Sequence, residues 1–418
     1  MNEYGISHTR ALELLRDGFA AVAGSERIKL ERALGRCLDA PVTAKESIPS
    51  FDNSAVDGYA LSRSTLEKSP GGVVRVEGRV AAGEAAPPLL PGVACRIFTG
   101  APAPEGADVV LMDEDVPGHG TDADGAWIRL PETAPRSSNI RRCGEDVSKG
   151  DEALGTGMRL RPQDLAAAAS MGMSALDCRR RVRVAVFSTG AELREPSAAK
   201  SSPASIVDSN RVLLSGLLKG LPVDVHDGGI LPDDRDAITG ALLSASQRND
   251  LLLTSGGAGR GEEDHLVRIL EKHGELLFRR IAIKPGRPLS VGFLPKGGPC
   301  GCIALPGNPV AVMVCFLMYA RPVLLRLCGG GWDRPRHFNV AADFSMSKKP
   351  GRREFQRGIL RCKDDALAVA RFEEQGSGIL RSLRIADGLI ELDEDVTQVS
   401  KGDEVRFLPF SSLGIDAP

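Results

Sequence analysis

From Val182 onward the chain repeats one grammar: a short apolar strand, a turn, then a helix. "VRVAVFSTGAEL" opens the series, and "SIVDSNRVLLSGLLKG" ends a strand at Asp208 and starts a helix near Ser209 or Asn210. "VDVHDGGILPDDRDAITGALLSAS" repeats the pattern, and "LLLTSGGAGRGEEDHLVRILEKH" carries a strand through a glycine loop into the next helix. "CIALPGNPVAVMVCFLMYARPVLLRL" closes the series, with Asn308 the expected cap and Pro309 at the first helical position, where its missing N–H costs nothing. Repeated strand-then-helix units with short turns predict an α/β fold with a doubly wound, mostly parallel sheet. In such a sheet ligands bind beyond the carboxyl ends of the strands.

The flanking sequence reads differently. At 418 residues the chain exceeds one ordinary core, so roughly three or four domains are expected. "SHTRALELLRDGFAAVAG" predicts one amphipathic helix with Ser7 as N-cap, Leu12, Leu15, Phe19 and Val22 on its apolar face, and Gly24 as its stop. "VVRVEGRV" (73–80) alternates valine with charge, as a half-buried strand does, and short strands and turns continue to about residue 144. After "GGGW" (329–332) alternation returns in "GLIELDEDVTQVSKGDEVRFLPF", predicting a small C-terminal barrel or sandwich. "SAAKSSPAS" (197–205) reads as a surface loop.

Composition narrows the function classes. Fifty-three basic residues against 55 acidic ones give −2, which argues against nucleic-acid binding and against a membrane-surface role. Aromatic content of 4% makes a base-stacking surface a poor fit. The opening "MNEYGISHTR" lacks an apolar core, and the apolar run "VAVMVCFLMYA" (310–320) is too short for a bilayer and reads as a buried helix. Nine scattered cysteines fit a reducing compartment, so a cytoplasmic location is expected; "CGC" (300–302) reads as core rather than as a metal or redox pair.

The strand ends carry Ser188, Thr189 and Gly190 with Glu192, then Asp208, Asp233 and Asp234, the 255–264 loop, and Pro306, Gly307 and Asn308. Gly256 and Gly257 would let backbone N–H groups approach an anion, beside the positive end of the following helix. Glu192, Asp208, one of Asp233 or Asp234, and Asp264 fall at equivalent strand ends and should converge. Converging acids repel unless a cation lies among them, and hard oxygen ligands beside a phosphate cradle describe magnesium. "FRRIAIKPGRP" (278–288), read as a strand, places Arg280 and Lys284 on one face, either as positive side chains available near the acids or as a solvated basic edge. "GRREFQRG" (351–358) adds an arginine cluster that alone reads as surface, and no serine–histidine–acid set stands out.

Seven segments together resemble the molybdopterin molybdenumtransferases, the MoeA-type enzymes related to the gephyrin E domain. They are "FDNSAVDGYAL", "RIFTGAPAPEGADVVLMDED", "RRCGEDVSKGD", "VAVFSTGAEL", "IAIKPGRP", "ALPGNPVAV" and "GRREFQRG", in that order, and the resemblance runs from about residue 6 to 410. It implies a discontinuous linking domain (25–45 and 145–180), an inserted β-rich domain (46–144), a MoaB/Mog-like α/β domain (5–24 and 181–328) and a C-terminal β-barrel (329–418). It implies a homodimer with its active cleft shared between subunits. The implied reaction takes adenylylated molybdopterin and molybdate with magnesium, cleaves the pyrophosphate link, releases AMP and leaves molybdenum on the dithiolene. The adenylylating enzyme or molybdoenzyme chaperones would be protein partners.

Carried over by motif, Asp57, Thr99 and Asp146 would line the partner's side of the cleft. Glu192, Asp208, Asp234 (or Asp233) and Asp264 would face the metal, with Asp57, Glu192 and Asp264 in catalytic roles. Lys284 and Arg280 would hold phosphate, and Arg357 and Ser377 would contribute from the last domain. The chain departs from the family's Ser-Gly-Gly-Val-Ser-Val-Gly at Ala258, Gly259 and Arg260, and Arg260 brings a guanidinium that could bind phosphate or block the pocket. Arg280 and Arg287 stand where lysines are usual, and Ala191 replaces an acid. A non-catalytic cofactor carrier or scaffold, and a nucleotide pyrophosphatase, are the alternative readings.

Overall fold

The computed structural model describes residues 5–22, 24–200, 202–256, 265–294, 300–332, 335–363 and 366–415. Its centre is a six-stranded sheet. The strands are β1 (Val182–Thr189), β2 (Val223–Leu231), β3 (Leu251–Ser255), β4 (Glu275–Arg279), β5 (Ser290–Leu294) and β6 (Cys300–Leu305), in the order β2-β1-β3-β6-β5-β4. The first four of that order are parallel; β5 and β4 complete the sheet antiparallel to their neighbours.

The helices are α1 (His8–Gly18), α2 (Asn210–Lys219), α3 (Arg235–Ser246), α4 (His265–His273) and α5 (Pro309–Leu327). Strand alternation divides them. Val182, Val184 and Val186 of β1 join the core with Leu214, Leu218 and α5, whereas Ala185 and Phe187 join the opposite core with Ile238, Leu242, Leu266 and Ile269. Helices therefore cover both faces, which is why the strands read as continuous apolar runs. Each fully buried valine or leucine contributes about 1.5–3 kcal/mol against exposure, so this double burial dominates the domain's stability. Cys300 and Cys302 lie buried within β6, and burial pushes the Cys302 thiol up to about 12.

Helix α5 is long and apolar enough to cross a membrane by length alone, yet 94% of that stretch is buried inside the protein. A π turn at Phe316–Ala320 precedes Pro322, widening the helix where the proline ring and its missing N–H would otherwise strain it. Helix α1 packs against this core although residues 19–181 intervene before the sheet begins. Its Ser7 cap accepts from Arg10 N, its Leu15 is fully buried, and His8 Nδ1 lies 2.7 Å from the Tyr319 hydroxyl. The helix stops at Gly18 rather than at Gly24. Phe19 leaves in an extended conformation, and its ring packs 4.8 Å from that of Phe293.

Three further units flank the sheet. Ser25–Lys29 pairs with Ala175–Arg179, and Val42–Thr43 with Glu152–Leu154, around Leu38, Leu160, Met171 and Leu176. Residues 58–129 form a second six-stranded sheet, which includes the alternating strand Val73–Val80. The C-terminal strands Arg353–Lys363, Ala366–Arg371, Phe338–Ala342, Glu404–Pro409 and Gly388–Leu392 close on themselves through a pairing of the first with the last, giving a five-stranded barrel. Closure removes the free edges that an open sheet would expose.

Candidate functional site

A cavity of about 600 Å³ opens at the carboxyl ends of β1, β2, β3 and β6. Thr189, Gly190 and Glu192 follow β1; Asp233 follows β2; Ser255 and Gly256 end β3; and Pro306, Gly307 and Asn308 follow β6. Asp208, Ser209 and Asn210 enter from the start of α2, while Gly378 and Leu380 reach in from the C-terminal region. Ser188 is fully buried behind this lining.

Backbone geometry sets the floor. Gly256 adopts φ +90°, and a Cβ there would stand 2.4 Å from the Thr189 carbonyl oxygen, so only glycine lets the chain pass. Its N–H donates to the Leu305 carbonyl at 3.2 Å and is spent on the fold, contrary to the expectation that it would face an anion. Gly257, Arg260 and Asp264 lie outside the described residues. The anion-binding features left to the floor are side-chain hydroxyls and the N-terminus of α5, which begins at the cavity wall. The buried hydroxyls of Ser188, Thr189 and Thr254 make no hydrogen bond among the described residues.

The acids do not converge as a set of four. Glu192, Asp208 and Asp233 line the cavity, but Asp208 is 1% exposed and committed to Arg211, whose Nε donates to Oδ2 at 3.0 Å and whose N–H donates to Oδ1 at 3.2 Å. Burial works against the Arg211 charge; hydrogen bonds to Asp227, Asp208 and Glu195 outweigh it and push its pKa up. Asp208 therefore meets its own cation inside the fold. Asp234 caps α3, accepting from Ala237 N at 2.8 Å, and Asp233 is the member of the pair in the cavity, 3.5 Å from His265 Nε2. Among the described residues no three histidine, cysteine or acidic side chains stand close enough together to hold a metal.

The basic residues also differ from the strand reading. Strand β4 ends at Arg279, and Arg280 turns the chain with φ +60° while its N–H donates to Leu289 O and its carbonyl accepts from Ile6 N. Ile283–Lys284 then pairs with Arg353–Glu354 at the barrel edge. Arg280 and Lys284 thus do not share one strand face, because the chain changes sheets between them. Lys284 Nζ donates to the buried Glu354 at 3.4 Å and lies outside the cavity lining.

Arg357 and Ser377 work behind the cavity wall. Arg357 is 1% exposed; its guanidinium donates to the carbonyls of Glu374 and Gly376 and to Ser382 Oγ. That fixes the loop in which Ser377 O accepts from Val310 N, and Ser377 Oγ from Asn308 Nδ2 at 3.0 Å. The loop seats the C-terminal region against the first turn of α5. Asn308 spends its side chain on this contact and makes no side-chain cap.

Asp57 and Thr99 form an exposed pair on the β-rich domain, away from the cavity lining. Asp57 Oδ1 accepts from Thr99 N and Thr99 Oγ1, each at 2.7 Å, and these two bonds, the backbone one first, hold the carboxyl below its usual range. Asp146 is exposed and outside the cavity lining; its N–H donates to Ile48 O. The residue that strand-end reasoning missed is Asn210. Its position two residues after Asp208, opening a helix at a strand end, was the available signal.

Three family models cover the chain in order: the MoeA N-terminal region (domain I and II) over residues 6–172, the probable molybdopterin binding domain over 185–326, and the MoeA C-terminal region (domain IV) over 339–410. A molybdopterin molybdenumtransferase of Haemophilus influenzae is 38% identical over 392 residues, covering 93% of this chain and 95% of that one. Molybdopterin molybdenumtransferase 2 of Mycobacterium tuberculosis is 34% identical over 391 residues, covering 91% and 93%. The crystal structure of a molybdopterin biosynthesis moeA protein from Pyrococcus horikoshii superposes with a TM-score of 0.82 at 28% identity, covering 97% and 99%. With the strand-end cavity, the closed barrel and full-length similarity in agreement, the chain belongs to the molybdopterin molybdenumtransferases, a family of transferases in molybdenum cofactor biosynthesis.

Proposed function

We propose that this chain inserts molybdenum from molybdate into adenylylated molybdopterin, cleaving the pyrophosphate link and releasing AMP. The observation that carries the reading is the cavity of about 600 Å³ at four parallel strand ends, with a hydroxyl-lined floor and carboxylates at its edge. Phosphate oxygens accept from the Thr189 hydroxyl and face the positive end of α5. Lys284 adds charge only when it gives up Glu354.

Asp57 is kept ionised by Thr99, which suits it to orienting an attacking oxygen and makes it a poor proton acceptor. Molybdate is already an oxyanion and needs positioning more than deprotonation. Because Asp57 and Thr99 do not line the cavity of their own chain, a second copy supplies them in this reading. The exposed apolar side chains of Ile206 (55% exposed), Val207 and Leu380 at the cavity edge support that cover. Magnesium fits the described residues poorly, since among them Glu192 and Asp233 are the only lining carboxylates not already paired with an arginine. A cytoplasmic location, and contact with the adenylylating enzyme or molybdoenzyme chaperones, belong to the same reading.

The test is incubation with adenylylated molybdopterin, magnesium and molybdate, following AMP and bound molybdenum together. The expected result is AMP release matched to metal incorporation. Tight binding without AMP would instead indicate a carrier, and molybdate-independent turnover of ADP-ribose a pyrophosphatase.

A further inference from the structure

We infer that Asn210 recognises a ring N–H or amino group of the bound heterocycle, through a side-chain oxygen that the fold has fixed as an acceptor. The inference rests on the proposed function only for the identity of that heterocycle. Asn210 is the first residue of α2, 8% exposed, and lines the cavity. Its Nδ2 lies 2.6 Å from the Gly307 carbonyl oxygen and 2.8 Å from Ser255 Oγ. A carbonyl can only accept, so the amide nitrogen must be the atom facing Gly307, and the flipped amide is excluded. Ser255 Oγ in turn donates to the Pro306 carbonyl at 3.4 Å, which leaves it to accept from Asn210.

Both amide protons are therefore spent on the protein. The remaining polar atom, Oδ1, is buried and has no hydrogen-bond partner among the described residues. Helix capping does not account for it. Ser209 holds the cap position, and Leu213 N bonds the Ser209 carbonyl. A buried acceptor without a partner is destabilising, and a ligand donor would relieve that. Phosphate and molybdate oxygens cannot be that partner, because they present lone pairs to a lone pair. Asn210 thus marks where the anionic part of the ligand ends and a donor-bearing ring begins. Thr189 Oγ1, also without a partner among the described residues and lining the same cavity, can donate or accept beside it.

Adenine and pterin both carry such donors, so two matched ligand pairs decide the source. One pair is AMP and purine riboside 5′-monophosphate, which lacks the amine. The other is pterin-6-carboxylate and its derivative methylated at N3 and the 2-amino group. Dissociation constants are measured for the full chain by calorimetry. In wild type, one pair is expected to differ by about tenfold in favour of the donor-bearing member, and that pair names the ring. Asn210→Ala should bring the ratio to about one. Asn210→Asp, which keeps an acceptor oxygen, should preserve the ratio while weakening all the anionic probes; this separates hydrogen-bond recognition from a merely structural role and serves if the alanine variant does not fold. Equal affinities within both pairs in wild type, no binding by any probe, an unchanged ratio in Asn210→Ala, or a lost ratio in Asn210→Asp would overturn the assignment. A preserved ratio in a protein that releases no AMP supports Asn210 as the reader while removing the transferase reaction.

Discussion

At the scale of single residues, Asp57 and Arg357 show how the same kind of sequence signal leads to different work. Asp57 is exposed, yet Thr99 donates to it twice and holds its pKa below the ordinary carboxylate range. It therefore stays charged at neutral pH, and activity that depends on its charge should hold above about pH 4 and fall only in more acid solution. Asp57→Asn keeps the size and removes the charge; kcat for metal insertion should drop about a hundredfold with the thermal midpoint unchanged, and a wild-type kcat would remove Asp57 from the reaction. By residue type alone Arg357 was legible only as part of an arginine cluster, and the family resemblance added it as a contributor to the site. Burial first, and Arg371 second, pull its pKa down to about 10, and its described partners are carbonyls and hydroxyls rather than a carboxylate. A buried cation that anchors a loop by neutral acceptors has no signature in residue spacing.

At the scale of elements, the strands of the central sheet are clasped at the end opposite the cavity. Asp250 precedes β3 and is 10% exposed at its side chain; Arg180 chelates it with bonds of 2.7 and 2.9 Å, and the Arg183 backbone N–H and guanidinium add three more. Burial alone would raise its pKa, but these donors outweigh it and hold the carboxyl well below its usual range. A depressed folded pKa means the stabilisation is present above the unfolded value, about 3.9, and is lost as pH falls below it. Asp250→Asn should therefore cost about 2 kcal/mol of unfolding free energy at pH 7, measured by urea titration, with the gap narrowing at about pH 3. An equal gap at both pH values would show that the aspartate charge is not what holds the strands. The β-then-α alternation was readable here because each helix and strand buries an apolar pattern of its own period. The turn at Arg280 was not. Its left-handed φ and the change of sheet before Lys284 depend on Ile6 and the barrel edge, both distant in sequence.

At the scale of the whole molecule, the separation of Asp57 from the cavity of its own chain is a statement about assembly. If each cleft takes Glu192 from one copy and Asp57 from another, inactive Asp57→Ala and Glu192→Ala proteins mixed after subunit exchange should recover activity. Half the dimers would be mixed, with one intact cleft in two, so about a quarter of wild-type activity is expected. No recovery, with exchange confirmed by mass spectrometry, would place both residues in clefts that single chains complete.

Val182–Leu327 determined its own α/β architecture. Apolar strands flanked by helices can bury both faces of a parallel sheet in few other ways, and the strand ends then mark the ligand side. The motif order also determined the family. Only the tertiary structure decided which of those strand-end residues remain available to a ligand. Asp208 is taken by Arg211, Asp234 by its helix cap, Gly256 by Leu305 and Lys284 by Glu354, while Asn210 keeps one oxygen with no partner among the described residues. The reason is that hydrogen-bond partners are chosen among groups that folding brings together, and a sequence orders residues without stating which of them have already found one another.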